Sequence, residues 1–233
     1  MTDAYQVIPL TPLRKIIAAR MTQAKQSSPH YRVGMDIDMD ALLALRQQYN
    51  TDNLAADNGI KISVNDFIIK ACATTLMAMP ALNIQFIDGE IHQYPQADIS
   101  VVIAVEGGLS TPVICDANNK TVQTIAKEIK ALAARAQSGT LKMDEILGGT
   151  FSISNLGMYG VDQFDAIINP PQCAILAIGS ARPQPIIKAG EITSATVMRA
   201  TLSLDHRVID GATGAQFLSI LREQLQHPEG LLA

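Results

Sequence analysis

Apolar and polar positions along the chain switch between two periods, and the switches mark the elements. Residues 1–12 read as an extended arm, with Pro9 and Pro12 restricting the backbone. Leu13, Ile16, Ile17, Met21 and Ala24 then recur at helical spacing as far as about Ser27. Pro29 stops that helix, and "YRVGMDIDM" alternates Tyr31, Val33, Met35, Ile37 and Met39 against polar partners, the period of a half-buried strand. "ALLALRQQY" returns to helical spacing. Ser63, three residues before Asp66, reads as a capping box that opens the apolar helix "FIIKACATTLMAM", closed by Pro80. "IQFIDGEIHQY" reads as a hairpin around Asp88-Gly89.

"ADISVVIAV" is almost uniformly apolar and predicts a strand buried on both faces. Gly107-Gly108 turns it into "LSTPVIC", a further strand. Val122, Ile125, Ala126, Ile129, Leu132, Ala133 and Ala136 define an amphipathic helix over 121–137, ended by Gly139. "GGTFSIS", "QCAILAIG" and "ATVMRATLSL" predict three more strands, and "GATGAQFLSILREQL" the last helix, before Pro228 and the apolar tail "GLLA". No repeat, low-complexity run or linker interrupts the pattern. Residues 1–233 therefore read as one α+β domain, a mixed sheet covered by helices.

Composition narrows the function classes. Hydrophobic residues make up 48% of the 233 and aromatics only 4%, so aliphatic side chains fill the core. No apolar run approaches the ~18 residues of a membrane span, and the N-terminus shows no secretory pattern. A net charge of -4 with acids and bases interspersed argues against nucleic-acid binding. Cys72, Cys115 and Cys173 are odd in number, far apart and set among apolar neighbours, which reads as buried reduced thiols in a reducing cytoplasm.

Candidate chemistry concentrates in "LSLDHRVIDGATGAQF" (202–217), where Asp205, His206, Arg207 and Asp210 stand between an apolar strand and an apolar helix. Of the four histidines, His92 and His227 read as exposed, and His30 as a packing or polar-capping residue at a corner. "DHRVIDG" fits a solvated turn in which Asp210 caps the helix and Arg207 pairs with Asp205. It also fits a catalytic turn: an imidazole titrates near ~6.5 and a thiol near ~8.5, a gap suited to general-base catalysis of thiol attack. In that reading Asp210 and Arg207 brace the turn by a charge pair. A metal site on His206 and Asp210 lacks further ligands, so no metal is expected.

"DHRVIDG" resembles the His-x-x-x-Asp-Gly signature shared by chloramphenicol acetyltransferases and the catalytic domains of dihydrolipoamide acyltransferases, the core components of 2-oxo acid dehydrogenase complexes. "GGTFSISNLGMYGVDQFDAIINPPQCAILAIG" (148–179), "PLRKIIAARM" (12–21), "SPHY" (28–31) and "ADISVVIAVEGGLSTPVI" (97–114) are similar to the latter, so the resemblance covers essentially the whole chain. It implies a chloramphenicol acetyltransferase-like sandwich, trimeric, with active sites between subunits. It implies acyl transfer, most like the acetyl transfer of the pyruvate type, between dihydrolipoamide and coenzyme A.

The resemblance also implies roles. His206 is the general base on the thiol, Asp210 holds the loop, and Ser154 donates to the tetrahedral oxyanion, with Ser152 on the same strand face as its rival. Arg14, Lys15 and Arg20 form a basic face that would suit acidic coenzyme A or simply water. The residues contacting coenzyme A stay unassigned. Lipoyl and peripheral subunit-binding domains are expected to lie outside this chain, with the lipoyl group supplied in trans or by another domain. Partners implied are a homotrimer, a larger cubic or dodecahedral core docked through Leu231 and Leu232, a decarboxylase and a dihydrolipoamide dehydrogenase. Alternatives are a branched-chain, succinyl or acetoin-complex substrate, a chloramphenicol-type O-acetyltransferase, or a mainly structural scaffold.

Overall fold

The first half of the chain folds into α1 (Pro12–Ser27), β1 (His30–Asp38), α2 (Asp40–Ala55), α3 (Val64–Ala78), β2 (Ile84–Ile87), β3 (Glu90–Gln93), β4 (Ile99–Val101), β5 (Ile103–Val105), β6 (Gly108–Ser110) and β7 (Val113–Ile114). The second half adds α4 (Val122–Gln137), β8 (Phe151–Asn155), β9 (Ala174–Lys188), β10 (Glu191–Asp205) and α5 (Gly211–Gln226). These bounds come from a computed structural model that describes residues 5–55 and 59–232. Residues 1–4 of the expected extended arm lie outside the described residues; residues 5–11 are non-helical and exposed.

Six strands form one mixed sheet in the order β1-β10-β9-β8-β4-β7. β1, β10 and β9 run antiparallel, β9, β8 and β4 parallel, and β7 antiparallel to β4. The α+β expectation therefore holds. The capping box forms: Ser63 Oγ accepts from the Asp66 N–H at 3.3 Å, and Asp66 Oδ2 accepts from the Ser63 N–H at 2.7 Å. It starts the helix that supplies Phe67, Ile68, Ile69, Cys72 and Leu76 to the core. Phe217 from α5 meets Phe151 from β8 with ring centroids 5.4 Å apart, fastening the last helix to the middle of the sheet.

Several expectations need correction. "ADISVVIAV" is two strands, because only Ile99–Val101 stay in the main sheet while Ile103–Val105 fold onto Gly108–Ser110 around Gly107, at φ 78°. An apolar run cannot reveal that break. "LSTPVIC" is likewise split by Pro112, which lacks the N–H a continuous ladder needs. β9 and β10 extend well beyond the predicted segments into a long hairpin. Pro183 and Pro185 are tolerated there because β8 pairs with β9 only as far as Ile178, leaving the outer edge with no ladder to break. Cys115 is exposed, while Cys72 and Cys173 are buried; its strand ends one residue earlier, at Ile114.

Residues 228–232 of the C-terminal tail neither fray nor project. Pro228–Leu232 form a 3-10 turn that returns against α2 and α5, and Leu231 is 3% exposed within the core. Leu231 is therefore not free to act as a knob for a neighbouring trimer. The stripe on α1 is the opposite case: only Ala24 is buried, and Leu13 and Ile16 face solvent in the single chain.

Candidate active site

The strand-to-helix turn is built around a buried carboxylate. Asp205 closes β10, its N–H donating to the Cys173 carbonyl at 3.0 Å, while its own carbonyl accepts from Ile209 at 3.0 Å. Asp205, the last strand residue, is 1% exposed, while His206, the first residue of the turn, is exposed. Arg207 Nη2 donates to Asp205 Oδ2 at 2.6 Å and Arg207 Nε to Oδ1 at 3.0 Å, with a further bond from Nη2 to Ser28 Oγ at 3.3 Å. The guanidinium lies 4.5 Å from the Phe86 ring centre. Burial pushes the Asp205 carboxyl up, but the hydrogen bonds and charge of Arg207 outweigh it and hold the group below the usual carboxylate range.

The expected charge pair between Asp210 and Arg207 is thus corrected: Arg207 belongs to Asp205. Asp210 is the N-cap of α5, its Oδ1 accepting from the Thr213 N–H and hydroxyl, each at 2.8 Å. Those bonds hold its carboxyl below the ordinary range, with a smaller contribution from nearby His206. His206 is anchored by its backbone N–H to the Pro29 carbonyl at 3.1 Å. Beside it stands Tyr31, which sequence reasoning did not single out. The two rings are 4.4 Å apart at 48°, and the phenol donates to the Asp210 carbonyl at 2.5 Å. Burial and the charge of Asp210 push the phenol up to about 12. The available signal was its place in "SPHY", next to the corner histidine.

His30 is a structural tie. Its Nδ1–H donates to the Ser28 carbonyl at 2.8 Å and its Nε2 accepts from the Ile168 N–H at 3.0 Å, which fixes the neutral tautomer and uses both nitrogens. His92 and His227 are exposed beside Glu90 and Glu223. Arg14 and Lys15 are exposed, and Arg20 reaches Asn169 Oδ1 at 3.4 Å and the Pro170 carbonyl at 3.3 Å. Among the described residues, no group of three or more His, Cys, Asp and Glu could hold a metal ion.

The two serines of β8 separate cleanly. Ser152 is fully buried and donates to Gln172 Oε1 at 2.5 Å, and Gln172 Nε2 donates to Ser100 Oγ at 2.9 Å. Ser154 is half-buried, and its hydroxyl has no hydrogen-bond partner among the described residues. The turn behind it is tied by side-chain hydrogen bonds. The Asn155 side chain accepts from the Gly157 N–H at 2.9 Å, and Ser180 Oγ donates to the carbonyls of Gly157 and Val161 at 3.1 and 2.9 Å. The chain around Gly179 passes so close that a Cβ there would lie 2.0 Å from the Asp162 carbonyl.

One chain does not bring Ser154 and His206 together. Ser154 registers with Ala177 and Ala177 with Thr201, so Ser154 sits two strands across from β10 and five residues short of His206. With ~4.8 Å between strands and ~3.3 Å per residue, they are roughly 19 Å apart. Surface depressions of about 570 Å³ along α1 and about 240 Å³ beside Arg207 are lined by neither residue.

Residues 2–233 match the family of 2-oxoacid dehydrogenases acyltransferase (catalytic domain). The dihydrolipoyllysine-residue acetyltransferase component of the pyruvate dehydrogenase complex of Zymomonas mobilis is 49% identical over 229 residues, 98% of this chain and 52% of that protein. Its Rickettsia conorii counterpart is 42% identical over 226 residues, 97% of this chain and 55% of that protein. The chain thus spans about half the length of these relatives. The cubic core of a pyruvate dehydrogenase multienzyme complex superposes with a TM-score of 0.94 at 29% identity, over 100% of this chain and 96% of that one. A dihydrolipoamide acetyltransferase of Azotobacter vinelandii, investigated for the role of a serine, a histidine and an asparagine in its catalytic mechanism, gives 0.93 at 29% identity, over 98% and 94%. A chloramphenicol acetyltransferase, at 15% identity and a TM-score of 0.52 over 98% and 99%, shares the fold alone. The chain belongs to the 2-oxo acid dehydrogenase acyltransferase family, as a catalytic domain.

Proposed function

We propose that this chain moves an acetyl group between dihydrolipoamide and coenzyme A, in a site completed by a second copy of itself. One observation carries the reading. Ser154, His206 and Asp210 stand at the same intervals along the chain as the serine, histidine and asparagine studied in the A. vinelandii enzyme, with aspartate replacing asparagine. The acetyl preference follows the pyruvate dehydrogenase relatives, which disfavour branched-chain, succinyl and O-acetylating alternatives.

His206 takes the proton from the coenzyme A thiol, and the thiolate attacks the carbonyl carbon of the acetyl-dihydrolipoyl thioester. Negative charge develops on the carbonyl oxygen, where the Ser154 hydroxyl of a neighbouring copy donates a hydrogen bond worth roughly 10²–10³ in rate. The intermediate collapses, the carbon–sulfur bond to the dihydrolipoyl arm breaks, and His206 returns its proton to the departing sulfur. Asp210 acts through the backbone, by capping α5 and fixing the end of the turn.

A trimer within a larger core, a lipoyl domain from outside this stretch, and decarboxylase and dihydrolipoamide dehydrogenase partners accompany this reading. Among the described residues no helix is long and apolar enough to cross a membrane, and three free cysteines suit a reducing cytoplasm. The test is acetyl-CoA with free dihydrolipoamide, run beside a His206→Ala variant. Acetyl-dihydrolipoamide should form with the native chain, and the variant should lose about 10²–10⁴ in rate. Equal turnover by the two would refute the role of His206. Propionyl-, isobutyryl- and succinyl-CoA read out acyl preference in the same assay.

A further inference from the structure

We infer that Tyr31 is the positioning residue that aims the His206 imidazole, chiefly through contact between the two rings. The inference rests on His206 being the general base. A base must keep one ring nitrogen open for the incoming proton, so a hydrogen bond on that atom would spoil it. Contact on the ring instead fixes orientation while leaving both nitrogens open. That is the arrangement here: the backbone N–H of His206 is tied to Pro29, and the ring lies against Tyr31 at 4.4 Å and 48°. Among the described residues, no side chain hydrogen-bonds either ring nitrogen of His206.

Tyr31 is itself held at both ends. Its backbone pairs with Leu204 across β1 and β10, and its hydroxyl is pinned to the Asp210 carbonyl at the start of α5. Gly214 leaves room for it, since a Cβ there would come within 3.3 Å of the phenol oxygen and 2.4 Å of Leu204. The phenol therefore forms a strut between β1 and the helix start, with the imidazole resting on it. The phenol stays protonated at neutral pH, so it serves as a donor and a surface and takes no proton from substrate.

The experiment compares the native assembly with Tyr31→Phe and Tyr31→Leu in the acetyl-transfer assay and in crystal structures. Tyr31→Leu should lower kcat by about tenfold or more, with KM for both substrates within about twofold, because a misplaced base slows the reaction without weakening binding. Tyr31→Phe keeps the ring and should stay within about threefold of native kcat. In the Tyr31→Leu crystal the imidazole should turn away from its native direction. Native kcat in Tyr31→Leu, an effect on KM alone, or a Tyr31→Phe loss equal to that of Tyr31→Leu would overturn the inference. Tyr31→Met replaces Tyr31→Leu should the latter not assemble. A native protein with no acetyl transfer would sink the functional reading instead, and the imidazole direction in the variant crystals would still decide the role of Tyr31.

Discussion

Two serines on one short strand illustrate how neighbours of the same chemistry differ in how far the fold commits them. Ser152 Oγ is spent on Gln172 inside the protein, whereas the Ser154 hydroxyl has no partner among the described residues. Ser154→Ala should cut kcat by about 10²–10³ with little change in Tm. Ser152→Ala should leave Gln172 Oε1 buried without a donor and cost about 1–3 kcal/mol of stability, with kcat per folded molecule nearly unchanged. Thermal melts beside the acetyl-transfer assay distinguish the two patterns. Alternation along the strand placed both serines on one face, but only coordinates reveal the Gln172 side chain, which arrives from a loop before β9 and left no periodic trace.

The Asp205–Arg207 pair carries a pH signature. Asp205 titrates lower in the folded protein than in the unfolded chain, so its contribution is complete above about pH 4 and is lost as pH falls through the folded value. Arg207→Ala should destabilise at pH 7 by an amount near the lower end of about 3–5 kcal/mol, since the arginine side chain is 36% exposed. The gap in Tm between native and variant should narrow as pH drops below about 4; a gap constant with pH would contradict the assignment. Sequence reasoning offered Arg207 two acidic partners, Asp205 and Asp210. Geometry chose the nearer because the strand buries Asp205 beside the guanidinium while Asp210 turns to cap the helix.

At the scale of elements, what was legible had a local cause. The capping box at Ser63, the hairpin at Asp88-Gly89 and the helix begun by Asp210 are each set within a few residues, and each formed where its residues stood. The breaks inside "ADISVVIAV" and "LSTPVIC" and the length of β9–β10 depend on which strand lies alongside, information an isolated segment does not carry. The turn after β8 is such a non-local product, since it depends on the chain at Gly179 passing against Asp162. Gly179→Ala forces that backbone apart and should cost at least about 1–3 kcal/mol. It should also lower kcat in the molecules that still fold, by moving Ser154. Loss of stability with unchanged kcat would show that the turn does not hold the serine.

At the scale of the molecule, the decisive quantity is the roughly 19 Å separating Ser154 from His206 within one chain. The exposed stripe of α1 and the opposed Ile187 and Ile192 near the β9–β10 tip, 76% and 80% exposed, show how much apolar surface a lone chain leaves uncovered. If the site is shared between copies, chains carrying Ser154→Ala and chains carrying His206→Ala should rescue one another. Refolded together in equal amounts, they should recover about a quarter of native activity, because one shared site in four draws both intact residues. Each variant alone should stay inactive, and mixing folded assemblies without dissociation should recover nothing.

If the site is shared between copies, the roughly 19 Å between serine and histidine in one chain has a corollary for growth of the assembly. In such a site each chain gives Ser154 to one cleft and His206 to another, so two joined chains make one complete cleft and leave an orphan half at either end. Closing the ring with a third chain mates both orphans at once, raising the yield from one cleft per two chains to one per chain. Turnover per chain should therefore jump at closure rather than climb smoothly with concentration.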